Sequence, residues 1–185
     1  MKKEFYKISI TGDLGSGKSL ISKLLSDKLN YKIISTGAIQ REIAQKYGMS
    51  TLDFNKYTES HPEVDDEIDA RVTELQDAEE NIIFDSRLAW HFAPKTFKIY
   101  LKVDDDIAAN RIHNDKRNSE AYTSIEEAKN KIQERRKSEI ERFKSYYGID
   151  YSDFNNYNLI VDTSENNPQN TLKIILEAFE KYKKG

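Results

Sequence analysis

The 185-residue chain contains no cysteine, three prolines, seven glycines and one tryptophan. Without cysteine there is neither a disulfide nor a thiolate metal site, and three scattered histidines argue against a transition-metal centre built by the protein. No run approaches the roughly 18 apolar residues of a membrane span. Met1-Lys2-Lys3-Glu4 leads into a strand pattern without a signal-peptide-like apolar stretch, so a cytoplasmic location and no membrane partner are expected. Positive charge is not in excess either: 29 basic against 32 acidic residues, net −3, argues against a nucleic-acid backbone as partner and for small molecules. Pro/Gly-rich linkers and internal repeats are also lacking. A hydrophobic content of 37% over this length suits one substantial core, so residues 1–185 are expected to form a single domain. A monomer is expected, although nothing in the composition fixes the oligomeric state.

The glycines that are present concentrate in Gly12-Asp13-Leu14-Gly15-Ser16-Gly17-Lys18-Ser19, which fits G-x-x-x-x-G-K-S/T and follows the apolar run Ile8-Ser9-Ile10-Thr11. Backbone N–H groups must reach phosphate oxygens, and glycines at 12, 15 and 17 remove the Cβ atoms that would block them. Lys18 adds a mobile positive charge for the β- and γ-phosphates, Ser19 a hydroxyl for Mg²⁺, and the helix that follows a favourable dipole. Leu20, Ile21, Leu24, Leu25 and Leu29 give that helix an apolar face, with Leu20 next to the loop. The bland alternative, a Gly-rich turn with no ligand, lacks a reason for this strand and helix context.

Beyond the loop, short apolar runs alternate with helical patterns. Phe5 to Thr11, Lys32 to Ile34, Asn81 to Phe84, Phe97 to Val103 and Asn158 to Val161 read as strands of a parallel α/β sheet. Ligands in such sheets sit beyond the carboxyl ends of the strands, which here carry Thr11-Gly12, Ser35-Thr36-Gly37, Asp85-Ser86-Arg87, Val103-Asp104 and Asp162-Thr163-Ser164. Residues 36–80 are too long for a simple crossover and read as a helical insertion. Ile39, Ile43 and Tyr47 mark its first helix and Ser50-x-x-Asp53 caps a second. Pro62 with Glu63, Asp65, Asp66 and Glu67 starts a third, whose stripe is Val64, Ile68, Val72 and Leu75. Asp104 to Asp106 cap a helix bearing Arg111. A polar stretch then leads to Ser124-x-x-Glu127, the start of a long helix that ends at Gly148, so residues 113–130 have the form of a lid. On the long helix Arg135, Glu139 and Arg142 share one face, which by position alone suits an exposed salt-bridge stripe as well as a site.

A regulatory GTPase would use the same loop but needs N-K-x-D, and the nearest match, Asn130-Lys131-Ile132-Gln133, falls inside the long helix without the carboxylate. The arginines at 41, 87, 111, 117, 135 and 142 suit instead a reaction whose donor and acceptor both carry phosphates. Gly12 to Ser19, Ile34-Ser35-Thr36-Gly37 with Arg41, Tyr47-Gly48-Met49-Ser50, His61-Pro62-Glu63-Val64-Asp65, Phe84-Asp85-Ser86-Arg87-Leu88-Ala89 and Ser138-Glu139 through Arg142 to Tyr147-Gly148-Ile149-Asp150 together resemble the compact, short-lidded branch of the cytidylate kinases. The resemblance implies the three-layer fold of P-loop nucleoside triphosphate hydrolases, with a five-stranded parallel sheet, a helical acceptor-binding insertion and a short lid. It also implies Mg²⁺-dependent transfer from ATP to CMP or dCMP.

Carried over onto this sequence, the resemblance makes Lys18, Asp85, Arg135 and Arg142 catalytic. Arg41 and Arg87, with Thr36 and Gly37, hold the acceptor phosphate. Arg111 packs on adenine, and Asp162-Thr163-Ser164 line the adenine edge. Two positions depart from the pattern: Ser86 replaces a glycine, and Asp115 stands where a second lid arginine is expected, with Lys116 or Arg117 as substitutes. For the base, Asp69 is the expected acceptor of the cytosine amine, and Tyr57 is available to stack. Asp66 and Asp69 can share a helix face while Asp69 and Arg71 cannot; the bland alternative for these carboxylates is a solvated helix surface. The competing functions are a kinase for another small acceptor, such as a different monophosphate or shikimate, and a nucleotide-binding module without turnover.

Overall fold

The central strand β1 (Lys7–Gly12) carries Ile8 and Ile10 with zero exposure and ends directly in the glycine loop. It is flanked by β3 (Ile82–Asp85) and β4 (Phe97–Lys102), with β2 (Lys32–Ser35) and β5 (Leu159–Asp162) at the edges. The order β2-β3-β1-β4-β5 is parallel throughout, with Ile8 opposite Ile83 and Phe97. Every strand therefore ends on the same side of the sheet, where the polar residues at the strand ends gather. This is the five-stranded α/β arrangement expected from the alternation of apolar runs. The computed structural model describes residues 4–49, 54, 57, 61, 63–114 and 122–185.

Seven helices are described: α1 (Lys18–Leu29), α2 (Thr36–Lys46), α3 (Glu63–Gln76), the single turn α4 (Ala89–Phe92), α5 (Asp105–Asn114), the long α6 (Ile125–Tyr147) and α7 (Pro168–Tyr182). Side chains alternate across β3. Ile83 joins the core that α1 and α7 build with β1, β4 and β5, whereas Ile82 and Phe84 face α2 and α3. The helices between β2 and β3 thus bury their apolar stripes, Ile39 and Ile43 with Val64, Ile68 and Val72, against the opposite face. Two smaller clusters sit at the carboxyl end of the sheet, one joining Tyr100, Phe143, Tyr151 and Tyr157, the other joining α5 to α6 through Ala108, Ala128 and Ile132.

Several helix ends follow their sequence signals. The Ser124 hydroxyl accepts from Glu127 N at 3.1 Å, and Gly148 closes α6 at φ 68°. The returning Glu127 carboxylate accepts from Thr123 N at 2.7 Å, one residue earlier than an ideal capping box. The caps expected at Ser50, Asp53 and Pro62, and the lid positions Asp115, Lys116 and Arg117, lie outside the described residues. No described helix is long and apolar enough to cross a membrane.

Candidate functional site

Two glycines shape the loop by close approach. A Cβ on Gly12 would lie 2.7 Å from the Leu101 carbonyl, and one on Gly15, at φ 78°, would lie 2.9 Å from Cα of Ala108 on α5. These positions therefore serve the seating of the loop on β4 and α5, not only access to phosphate. The Asp13 carboxylate turns away from the loop interior. It accepts from the Tyr100 hydroxyl at 2.7 Å and from Val103 N at 3.1 Å, and so pins the loop to the end of β4. Burial, reinforced by Asp13, holds the Tyr100 hydroxyl well above the ordinary phenol range. Lys18 reaches back to Asp85 at the end of β3, an ion pair with both side chains mostly buried.

A cavity of about 900 Å³ opens over the loop, lined by residues 13–20 and by Lys23, Arg87, Arg111, Lys131 and Arg135. The Ser16 hydroxyl is buried there without a hydrogen-bond partner. A smaller hollow beside Leu20 is bounded by Arg111, Thr163, Asn166, Pro168 and Thr171. Arg111 spans the two hollows, donating to the Gly15 carbonyl at 3.2 Å and the Thr163 carbonyl at 2.6 Å. Of the residues at the carboxyl end of β5, Thr163 lines this hollow. Asp162 and Ser164 do not: Asp162 accepts from Ser164 N at 2.9 Å, and Ser164 Oγ accepts from Asp104 N at 2.9 Å.

A second cavity, of about 520 Å³, lies between the insertion and α6. Its floor is the first turn of α2, where the Ser35 hydroxyl accepts from Ala38 N at 3.1 Å and Thr36 Oγ1 is buried without a partner. A helix N-terminus of this kind favours an anion, and Arg41 lies one turn along on the same side. Asp85, Arg87, Arg135, Glu139 and Arg142 line it from β3 and α6, and Asp65 and Asp69 from α3. The two cavities share Lys18, Ser19, Arg87 and Arg135.

At that junction Glu139, with its side chain 14% exposed, binds two arginines. Its carboxylate lies 2.7 Å from Arg87 Nε and 3.0 Å from Arg135 Nε. Arg87 also donates from Nη1 to the Gly12 carbonyl at 2.8 Å and packs over the Tyr151 ring. Burial pushes the Tyr151 hydroxyl up to about 12 against the opposing pull of Arg87. On the insertion side the Tyr147 hydroxyl donates to Asp69 at 2.7 Å. Burial, opposed by this bond and aided by Asp65 and Asp66, pushes the Asp69 carboxyl up to about 6. Burial likewise raises Asp65.

Most of the residues singled out from sequence thus converge on two adjoining hollows, with exceptions. Tyr57 is not among the lining residues: its ring is stacked on His61 at 3.6 Å and packs near Phe54 and Tyr47. The carboxylate accompanying Asp69 is Asp65, four residues earlier, and Asp66 points to solvent. Arg71 pairs with Glu74 outside the cavity. Glu139, Asp65, Gln40 and Tyr147 also line this cavity, without a site role expected from the sequence. Glu139 had a detectable signal, a carboxylate placed between two arginines on one helix face.

The sequence profile of the cytidylate kinase-like family matches residues 7–165. A cytidylate kinase of Sulfurisphaera tokodaii is 39% identical over 174 residues, covering 93% of each chain. A protein of Lacinutrix mariniflava named S-adenosylmethionine-dependent nucleotide dehydratase is 32% identical over 176 residues, 95% of this chain; the chain spans 36% of that relative's length. Among solved structures, a shikimate kinase from Bacteroides thetaiotaomicron superposes with a TM-score of 0.66 at 15% identity, covering 95% of this chain and 98% of that one. At that identity the likeness speaks to the fold alone.

Proposed function

Because the chain belongs to the cytidylate kinase-like family, we propose that it transfers the γ-phosphoryl group of Mg²⁺-ATP to CMP or dCMP, giving ADP and the corresponding diphosphate. The observation that carries this reading is the pair of adjoining cavities that share Lys18, Ser19, Arg87 and Arg135. A kinase must place two anionic substrates end to end, and only the residues at their meeting point touch the group in flight.

In this reading the loop amides and Lys18 hold the donor phosphates, with Arg111, Thr163 and the adjoining hollow taking the adenine. The orphaned Ser16 hydroxyl fits a phosphate oxygen, and the orphaned Thr36 hydroxyl at the start of α2 fits the acceptor phosphate, which Arg41 and Arg87 also grip. Ser19, exposed at the shared boundary, would hold Mg²⁺ with Asp85 close by. The described residues include no group of three or more acidic or histidine ligands, which suits an ion held largely by nucleotide oxygens and water. When bound there, such an ion would neutralise charge on the phosphates. Lys18, Arg87, Arg135 and Arg142 do the same from the protein side, so the acceptor's own phosphate oxygen attacks without a strong protein base. Asp69 accepts from the exocyclic amine of cytosine. Residues 36–80 carry the acceptor and residues 113–130 close over the donor, whose cavity reaches Asn114, Tyr122 and Lys131.

The test is ADP release with CMP, dCMP, UMP, AMP and shikimate as acceptors. Turnover with CMP or dCMP well above the rest is expected, since a site built to pair a donor amine rejects a carbonyl in its place strongly. Preference for shikimate, equal use of CMP and UMP, or ATP binding without turnover would overturn it.

A further inference from the structure

The long helix α6 has two polar faces with different occupations. Arg135, Glu139 and Arg142 face the acceptor cavity. Lys129, Gln133 and Arg136, spaced four and three apart, are strapped to the first turn of α5. Lys129 Nζ lies 2.6 Å from Asp106, Gln133 donates to Asp105 at 3.0 Å, and Arg136 Nη2 lies 2.8 Å from Asp105. Partial burial works against ionisation of Asp105, but the bonds from Gln133 and Arg136 outweigh it and hold this carboxyl below its ordinary range. It is a carboxylate at neutral pH.

Of the three, Arg136 reaches further. The same Nη2 lies 3.5 Å from the carboxylate of Asp13, the loop residue already fixed by Tyr100 and by the backbone of Val103. Arg136 lines neither of the two reaction cavities. Successive residues on an α-helix are about 100° apart around its axis, so securing one side chain sets the direction of the next. The side chain next to Arg136 is Arg135, at the junction of the cavities.

We propose that Arg136 is a positioning residue: by bridging Asp13 of the phosphate loop and Asp105 at the start of α5, it fixes the rotation of α6 and so aims Arg135 at the transferring phosphoryl. The inference rests on the role proposed above for Arg135. It makes the loop and the arginine helix one unit, so that the residues cradling the donor also set the geometry of the group that stabilises transfer.

The experiment compares Arg136→Met in the wild-type and Arg135→Ala backgrounds, measuring kcat at saturating substrates, both KM values and the melting curve. In the wild-type background kcat is expected to fall about tenfold with each KM held within about threefold, the pattern of a misaimed contact made in the transition state. In the Arg135→Ala background the further loss is expected to be under about threefold, because residues acting as a unit are non-additive. The same fractional loss in both backgrounds, or a loss confined to KM, overturns the proposal. Should Arg136→Met fail to melt cooperatively, Arg136→Lys, which retains one charged link, is judged by the same two-background criterion. If Arg135→Ala by itself leaves kcat unchanged, the role of Arg135 fails instead, and with it the site reading.

Discussion

The proposed donor and acceptor sides of the cleft are built in opposite ways. The donor side rests on eight consecutive residues, Gly12 to Ser19, seated on β4 and α5 through main-chain contacts and the outward-turned Asp13. The acceptor side is put together from side chains on α2, α3, the end of β3 and α6, with more than a hundred positions between Ser35 and Tyr147. Triphosphate recognition is generic, and a local backbone conformation supplies it. Recognition of one acceptor needs particular functional groups, which only tertiary packing brings together. Donor-side changes should therefore abolish chemistry whatever the acceptor, while acceptor-side changes should alter which acceptor is used and how tightly.

The largest test of that contrast is Lys18→Ala. It removes the one mobile positive charge of the loop and is expected to lower kcat by at least about a hundredfold with every acceptor, on the scale of an oxyanion-hole donor. Near-normal turnover would dissociate the loop from the reaction. The next effect separates the two arginines. Arg41→Ala is expected to raise acceptor KM about 10- to 100-fold and leave ATP KM unchanged, since a charge-assisted contact is worth about 1.5–3 kcal/mol. Arg87 lines both cavities and holds the Gly12 carbonyl, so Arg87→Ala is expected to weaken both substrates and kcat together. A loss confined to the acceptor in Arg87→Ala would erase the shared boundary.

The smallest effect concerns Asp69. Its carboxyl, raised to about 6, is ionised at neutral pH and becomes protonated as the pH falls through that value. As the acceptor of the cytosine amine it should lose that function on protonation, and kcat/KM for CMP should decline severalfold between about pH 7.5 and 5.5. Asp69→Asn should flatten this profile and narrow the preference for CMP over UMP. Stability runs the other way. Because the folded value lies above the ordinary 3.8, ionised Asp69 opposes folding above about pH 6, and that penalty fades as the pH falls toward 3.8. An unchanged profile in Asp69→Asn would move the base reader elsewhere.

The same contrast governs what could be read from the sequence. Loop, strand ends and the caps at Ser124 and Gly148 are local patterns, and the structure places them within a residue or so of expectation. The helix Pro168–Tyr182 is not among the elements expected above although the sequence carries its signs: Asn167 accepts from Asn170 N at 2.8 Å, proline opens the first turn, and Leu172, Ile175 and Phe179 follow at helical spacing. Tyr57 was expected on the base because aromatic rings stack on bases. It stacks instead on His61, four residues further along the chain. Asp65 took the place of Asp66 because α3 is rotated so that Val64, Ile68 and Val72 are buried, which turns Asp65 and Asp69 together toward α6. Glu139 could be placed on its helix face, but its hold on Arg87 joins residues 52 positions apart.

The strand order has a further consequence, for how the molecule opens. β1, which delivers the phosphate loop, is paired on both sides, whereas β2, which delivers the start of α2, lies at an edge and is paired only with β3. A strand held by two ladders must lose both to come away from the sheet, while an edge strand frays by losing one. The side of the cleft built on β2 can thus open and reseal on excursions too small to detach β1 and the glycine loop it carries.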